Sequence, residues 1–378
     1  MHKELPLSYL EISKKNLVHN FRQLKAVAKK GVKISVAIKG NAYGHGQNKV
    51  AKILEPYADY FLVNSLEELK LLRKISKKRT FIIGYVQEKN LIELMKLKAV
   101  ISVFSLRELK EVGNLSNKLK IKQEINLPID AHLGREGFLL EDLLTVFQEI
   151  KKYKNLKLTG IYAHFANIED TTNFSHATKQ IKKYFQALRL AENFGFKNLE
   201  THISATSGLL TYERNKGINS LVRLGIGIYG MWPSEHIKLI YKNKIELKPV
   251  LSWKTKIAQI KILPKRHTIG YGLTYITPKE IKVAIIPQGY ADGYDRGLSN
   301  LGEVLISGTR CKVLGRVAMN MFVVDINHLK KVKEEDEVIL IGRQGKGEIT
   351  AEEIAEKIDT INYEITTRIS PLLSRIVR

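Results

Sequence analysis

The sequence is poor in several things, and each shortage excludes a class of protein. One cysteine, Cys311, rules out an internal disulfide framework, and no Cys/His spacing suggests a zinc site. No uncharged apolar run approaches the roughly 18 residues that a membrane span needs. The opening Met-His-Lys-Glu-Leu-Pro-Leu lacks a positive patch followed by a long apolar stretch, so no signal peptide is expected. Low-complexity tracts and internal repeats are absent. A cytoplasmic protein with no membrane contact is the expectation.

Acidic residues are also scarce: 38 stand against 62 lysines and arginines, a formal net charge of +24. Such a balance raises nucleic-acid binding. The basic residues, however, are scattered in short pairs such as Lys14-Lys15, Lys77-Lys78 and Lys182-Lys183. There is no basic tail and no basic block interleaved with aromatics. A solvated basic surface, able to attract small anions, is the better reading, and no nucleic-acid partner is expected.

What remains is an ordinary apolar content of 44% over 378 residues, enough for one large or two moderate cores. Eight short apolar runs punctuate the first two-thirds: Ile34–Lys39, Tyr60–Asn64, Thr80–Gly84, Val100–Val103, Gln123–Ile129, Leu158–His164, Glu200–Ser204 and Leu221–Gly225. They read as buried parallel strands. Helical patterns lie between them, two opened by capping boxes at Ser65/Glu68 and Ser105/Glu108. In the stretch around 181–194, Ile181, Tyr184, Phe185, Leu188, Ala191 and Phe194 mark an apolar face. Eight strands alternating with helices predict an α/β fold, a TIM (β/α)8 barrel, with a doubly wound sheet as the alternative. Past Met231-Trp232-Pro233 the pattern changes to turn-separated strands and one helix capped by Thr350 with Glu353. Two domains are expected, a barrel over 1–240 and a mostly β domain over 241–378, the first few residues packing on the second.

Lys39 ends the first barrel strand, before a Gly-rich loop, where barrel active sites are built. An apolar strand is a costly place for an ammonium, and losing the proton makes the amine a nucleophile. A lysine snorkelling from a strand end is the alternative. The surrounding Lys39-Gly40-Asn41-Ala42-Tyr43-Gly44-His45-Gly46 resembles the cofactor-lysine motif of alanine racemases. Gly289-Tyr290-Ala291-Asp292-Gly293-Tyr294, Leu314-Gly315-Arg316-Val317-Ala318-Met319 and Ile361-Asn362-Tyr363-Glu364-Ile365 resemble further motifs of that family, in its order. Leu247–Ser252 and Ile269–Gly272 match as well, so the likeness runs from about residue 9 to 375.

The resemblance implies pyridoxal 5'-phosphate bonded through its aldehyde to Lys39. It implies a phosphate held by the Thr206 hydroxyl, the backbone at Gly225 and Ile226, and the phenols of Tyr43 and Tyr363. Barrel phosphate sites favour the loops after strands seven and eight, which points to the same place for Thr206, Gly225 and Ile226. Arg223 is implied to face the pyridine nitrogen, leaving it largely unprotonated and the ring a weaker electron sink. Racemisation needs an acid–base group on each face of the substrate Cα. The resemblance names Lys39 and Tyr271, the latter reaching the active site of the other subunit of a homodimer. A free phenol loses its proton only near about pH 10, and His164 is implied to link that tyrosine to Arg223. Arg135 is implied to bond the cofactor's phenolic oxygen or the substrate carboxylate region. Met319, from the partner subunit, is implied to place its backbone near that carboxylate, and Tyr290 to bind substrate.

Three positions depart from the pattern. Pro128 stands where many relatives carry a carbamylated lysine that orients the arginine matched by Arg135. Ala205 replaces an asparagine, and Asn320 replaces an aspartate near the substrate entrance. The implied activity is interconversion of L- and D-alanine for peptidoglycan. A racemase of another amino acid such as serine, or a non-catalytic carrier of the cofactor, is the competing reading. The carriers are generally a lone barrel, without a second domain bearing Tyr271.

Overall fold

The computed structural model describes residues 4–213 and 219–378. The first three residues of the opening segment lie outside that description. The chain divides into two compact units. One comprises Val18–Gly40 and Val50–Leu247; the other takes the residues up to Leu17, Asn41–Lys49 and Lys248–Arg378.

In chain order, β1 is Tyr9–Ile12, and the first of the compact units then contributes β2 (Lys33–Ala37), β3 (Tyr60–Val63), β4 (Thr80–Ile82), β5 (Val100–Ser102), β6 (Gln123–Pro128), β7 (Leu156–Tyr162), β8 (Glu200–His202) and β9 (Leu221–Leu224). All pairings from β2 to β8 are parallel and sequential, and β9 lies parallel to β2. Backbone hydrogen bonds from Ser220 N–H to Thr201 O (3.0 Å) and Arg223 N–H to Ser204 O (3.1 Å) close the ring between β8 and β9. The barrel architecture is therefore observed, and the open doubly wound sheet is not. Helices cover the outer faces, so the strands are largely apolar and mostly buried, the exceptions including Lys33 and Lys157. Tyr60, Phe81, Val100 and Leu221 form one core cluster.

The strands stop one or two residues earlier than their apolar runs. Ile38, Val103, Ile129 and Ala163 are buried like strand residues but lie past the paired segments. Both capping boxes form: Glu68 N–H and Glu108 N–H each donate to the serine hydroxyl three residues back, at 3.2 Å. The return bonds reach one residue further than the motif prescribes, to Asn64 N–H and Phe104 N–H. Helix Ser175–Asn193 buries Tyr184 and Ala191 of the expected face together with Ala177, Gln180 and Ala187, while Phe185 is exposed.

The other unit is built on a sheet of β10 (Leu251–Lys256), β11 (Gln259–Leu263), β12 (Ile281–Ile286), β13 (Glu303–Ile306), β14 (Thr309–Leu314), β15 (Phe322–Asp325), β16 (Glu337–Gln344), β17 (Gly347–Ile349) and β18 (Ser374–Val377), with β1 inserted between β10 and β18. Its pairings are antiparallel except β1 with β18. Ile257-Ala258 interrupts the run from Leu251 to Leu263 and separates β10 from β11. In its core Tyr294 stacks on Phe322 and meets Trp253 edge-on. Thr350 caps helix Ala351–Lys357 as expected, and a second helix, Asn362–Thr367, follows. Among the described residues no helix is long and apolar enough to cross a membrane.

Candidate active site

Lys39 lies two residues beyond the end of β2, its flanking backbone held from both sides. Upstream, the buried Tyr229 hydroxyl donates to Ala37 O (2.7 Å); downstream, Gly40 N–H donates to Glu68 Oε1 (2.7 Å). Burial lowers the proton affinity of the Lys39 amine, and Arg135 and Arg223 lower it further; Glu68 and Glu136 oppose them. The lysine thus tends toward the neutral, nucleophilic amine. From Gly40 the chain makes a left-handed turn: Gly40, Asn41, Ala42 and Tyr43 have φ of 60°, 52°, 54° and 54°. Left-handed backbone costs about 1–2 kcal/mol per non-glycine residue. Within the turn, Gly46 N–H donates to Asn41 O and Gln47 N–H to Asn41 Oδ1, both at 2.9 Å.

Arg223, on β9, is the hub of the barrel's C-terminal end. Its NH1 donates to His202 Nδ1 and His202 O, both at 2.7 Å. Its NH2 donates to Ala163 O (2.8 Å), Ile203 O (3.3 Å) and His164 Nδ1 (3.2 Å). A guanidinium only donates, so both imidazoles accept at Nδ1 and carry their proton on Nε2. Burial and then the Arg223 charge depress both: His164 falls to about 3, and His202 drops well below its usual value. Both rings are neutral. The Tyr162 ring stacks on His202, with centroids 5.0 Å apart, and lies under the Arg223 guanidinium. His164 is held through its carbonyl as well, which accepts from the buried Gln180 amide (3.0 Å); the same amide donates to Ala131 O (2.7 Å).

Thr206, Gly225 and Ile226 come together beyond β8 and β9. Thr206 Oγ1 accepts from Gly225 N–H (3.3 Å) and Gly227 N–H (3.4 Å). A Cβ on Gly227 would lie 2.6 Å from Thr206 Cγ2, so only glycine permits this approach. The nearby Ser207 hydroxyl donates to Glu169 (2.9 Å), whose carboxyl is raised by burial.

Arg135 follows β6 in a loop, where its Nε and NH2 grip both carboxylate oxygens of Glu136, the NH2–Oε1 bond at 2.7 Å. With Pro128 in place of an ionisable side chain, Glu136 is the anion that engages this arginine. His202, Gln180 and Glu136 escaped sequence reasoning. His202 closes an apolar run and reads as a core residue; Gln180 lies on what looked like a polar helix face. Glu136, directly after Arg135, carried a signal that was there to be read: an acid adjacent to a candidate substrate arginine.

In the other unit, the rings of Tyr43 and Tyr363 meet with centroids 6.0 Å apart, and burial raises the Tyr43 phenol to about 12. Tyr271 is 74% exposed, in a short helical turn between Gly270 and Gly272, both with φ of 71°. Tyr290 N–H and Ala291 N–H donate to Ala318 O (3.2 Å) and Met319 O (3.0 Å), bringing Tyr290 and Met319 side by side. Leu273, Tyr290, Met319 and Met321 are exposed too.

Comparison with known proteins agrees with this arrangement. Residues 12–233 match the family model described as alanine racemase, N-terminal domain, and residues 250–377 the corresponding C-terminal domain. The alanine racemase of Leptospira interrogans is 35% identical, the alignment covering 99% of this chain and 97% of that protein. Alanine racemase 2 of Caldanaerobacter subterraneus is also 35% identical, over 100% and 96%. The structure of alanine racemase from Bacillus anthracis with bound L-Ala-P superposes with a TM-score of 0.93 at 31% identity, covering 100% of this chain and 96% of that one. That from Clostridium difficile gives 0.92 at 31% identity, over 100% and 97%. Two domain models in register and full-length relatives above 30% identity place this chain, an enzyme, in the alanine racemase family.

Proposed function

We propose that the chain interconverts L- and D-alanine using pyridoxal 5'-phosphate bonded to Lys39, and so supplies D-alanine for peptidoglycan. One observation carries the reading: a lysine with lowered proton affinity shares the barrel's C-terminal end with an arginine caged by carbonyls and neutral imidazoles. The alanine racemase family is pyridoxal-phosphate dependent, and the residues present suit that cofactor. An amine tending to neutrality suits an aldehyde. The Thr206 hydroxyl and the backbone at Gly225 and Ile226, with the close approach that Gly227 allows, suit a phosphate. A permanent cation, Arg223, suits an unprotonated ring nitrogen. Tyr43 and Tyr363 are assigned to the same phosphate on the motif resemblance.

Bound there, the cofactor would supply an electron-withdrawing ring that acidifies the substrate Cα–H. The chain's own groups then move the proton. Lys39 Nζ takes or returns it on one face of Cα. The Tyr271 hydroxyl serves the other face from the partner subunit of a homodimer, which its exposure beside Leu273 supports. With Nδ1 committed to Arg223, His164 offers Nε2–H, a donor suited to stabilising a phenolate. Arg135 is assigned to the substrate carboxylate region or the cofactor's phenolic oxygen, and Met319, from the partner subunit, and Tyr290 to the substrate, all on the motif resemblance. The reaction belongs to the cytoplasm.

The test is direct. Purified protein is scanned for visible absorption, reduced with borohydride, digested and mapped for a pyridoxyl group, then assayed for racemisation of alanine, serine and a wider panel. The expected label is on Lys39, alanine is the fastest substrate, and Lys39→Ala abolishes both label and turnover. Colourless protein, or colour that survives Lys39→Ala with racemisation intact, refutes the assignment. Cofactor without turnover favours a carrier, and serine outrunning alanine moves the substrate to the altered entrance at Asn320.

A further inference from the structure

The loop bearing Arg135 is built, not slack. Asp130 Oδ1 accepts from Leu133 N–H (2.9 Å) and Gly134 N–H (3.0 Å) at one end. At the other, Phe138 N–H donates to Pro128 O (2.9 Å) and Asp130 N–H to Phe138 O (3.0 Å). Gly137, at φ 123°, passes so close that a Cβ would lie 2.7 Å from Asp130 N. Arg135 and Glu136 occupy the apex between these ties. The bidentate grip uses the Nε–NH2 edge of the guanidinium, so the NH1 edge is the one left for a further acceptor.

Glu136 also faces a field of cations. Burial is the largest influence on Lys39, His164 and Arg223, and in each the Glu136 carboxylate favours the protonated form while Arg135 opposes it. Around Lys39 the charged groups are Arg135, Arg223, Glu68 and Glu136. Glu68 is engaged with the backbone N–H groups of Gly40 and Asn64.

We propose that Glu136 is a positioning residue of the active site: its carboxylate fixes the Arg135 guanidinium for the substrate and is the counter-charge to the Lys39–Arg135–Arg223 group. This rests on the assignment of Lys39 and Arg135 to the alanine site. Two effects follow from one carboxylate, and they are separable. Losing the grip lets Arg135 wander, which weakens substrate binding. Losing the charge lets the Lys39 amine shed its proton at lower pH, since Glu136 is one of the two groups favouring its ammonium.

Glu136→Gln and Glu136→Asp test it, with kinetics on the holoenzyme and competitive acetylation of Lys39 on the apoprotein, read by peptide mass across pH. Glu136→Gln is expected to raise KM for alanine about tenfold, the value of one charge-assisted contact, with a smaller change in kcat. The Lys39 acetylation midpoint moves to lower pH, and Glu136→Asp recovers at least part of both effects. In an Arg135→Met background the KM effect of Glu136→Gln disappears, while the midpoint shift persists. An unchanged KM, or an unchanged midpoint, in correctly folded Glu136→Gln overturns the proposal and makes the pair a surface contact. Were Lys39→Ala to keep the cofactor and turnover, the site assignment itself would fall, an outcome independent of anything Glu136 does.

Discussion

The two ends of the barrel handle charge in opposite ways. At the N-terminal end of the strands, Lys33 and Arg79 face Glu200 and Glu124: two cations against two carboxylates. Lys33 Nζ donates to Glu200 (2.9 Å) and to the Tyr60 hydroxyl (2.9 Å), Tyr60 donates to Glu200, and Arg79 bridges Glu200 (3.3 Å) and Glu124 (3.0 Å). At the C-terminal end Lys39, Arg135 and Arg223 meet Glu136 and the backbone-engaged Glu68, and Arg223 is satisfied by carbonyls and imidazoles alone. The balanced end is complete as it stands. The other end holds in Arg223 a buried cation contacted by carbonyls and imidazoles and by no carboxylate among the described residues, which is how a binding site differs electrostatically from a structural network.

Breaking the hub should give the largest effect. Arg223→Met strips donors from five acceptors: His202 Nδ1, His164 Nδ1 and three carbonyls. Unsatisfied buried acceptors cost about 1–3 kcal/mol each, relief of the buried cation offsets part, and a net loss of roughly 3 kcal/mol is expected. Denaturant titration reads the stability. Racemisation should fall at least about a hundredfold, as expected when a preorganised electrostatic group is lost. Should stability hold while activity falls, the cage is functional only.

Glu200→Gln makes the reciprocal test at the other end. The carboxylate is 12% exposed and has three partners, so its loss is expected to cost about 1–3 kcal/mol of stability. Turnover per folded molecule should not change. An altered KM for alanine would mean that the two ends are coupled through the strands.

Much of this contrast was legible in the sequence, for physical reasons. Strand count followed from apolar runs long enough to be buried on both faces, and capping serines marked where two helices begin. Lys39 stood out because a basic residue closing an apolar run demands an explanation, whereas His164 and Arg223 were named by the family resemblance. Strand ends were overrun because burial continues after pairing stops: Ile38 and Ala163 look like strand and are loop. Gln180 was missed because a buried amide is polar in composition and core in fact, its three hydrogen bonds being long-range. The left-handed turn at Gly40–Tyr43 leaves no composition signal beyond one glycine, since Asn41, Ala42 and Tyr43 adopt it under tertiary constraint.

Acid should expose the C-terminal end before the other. His164 has a folded pKa of about 3 against an unfolded value near about 6.5. As pH falls through 6.5 the unfolded chain binds a proton that the folded one refuses, so stability is lost downward from there, by about 1.4 kcal/mol per pH unit until about pH 3. His202 acts in the same direction. Glu108 has the opposite sign: burial raises it to about 7, so the folded state holds its proton first and gains stability as pH falls to its unfolded value. Comparing wild type with His164→Asn between pH 7 and 5 cancels Glu108 and isolates the histidine. The variant should lose stability less steeply, and an identical slope would mean that His164 is protonated in the folded protein.

The smallest effect is expected at the edge of the balanced network. Glu124 meets Arg79 at 3.0 Å with 38% of its side chain exposed, against 12% for Glu200. Water screens an exposed pair, and the entropy of holding two side chains offsets most of the attraction, so Glu124→Gln should cost no more than about 1 kcal/mol. Arg79 keeps Glu200 in that variant. Raising salt to 1 M should erase most of the difference from wild type, whereas the Glu200→Gln deficit should persist, because burial shields it from ions. A Glu124→Gln loss as large as that of Glu200→Gln, and as indifferent to salt, would show the four charges acting as one unit, each needing the other three.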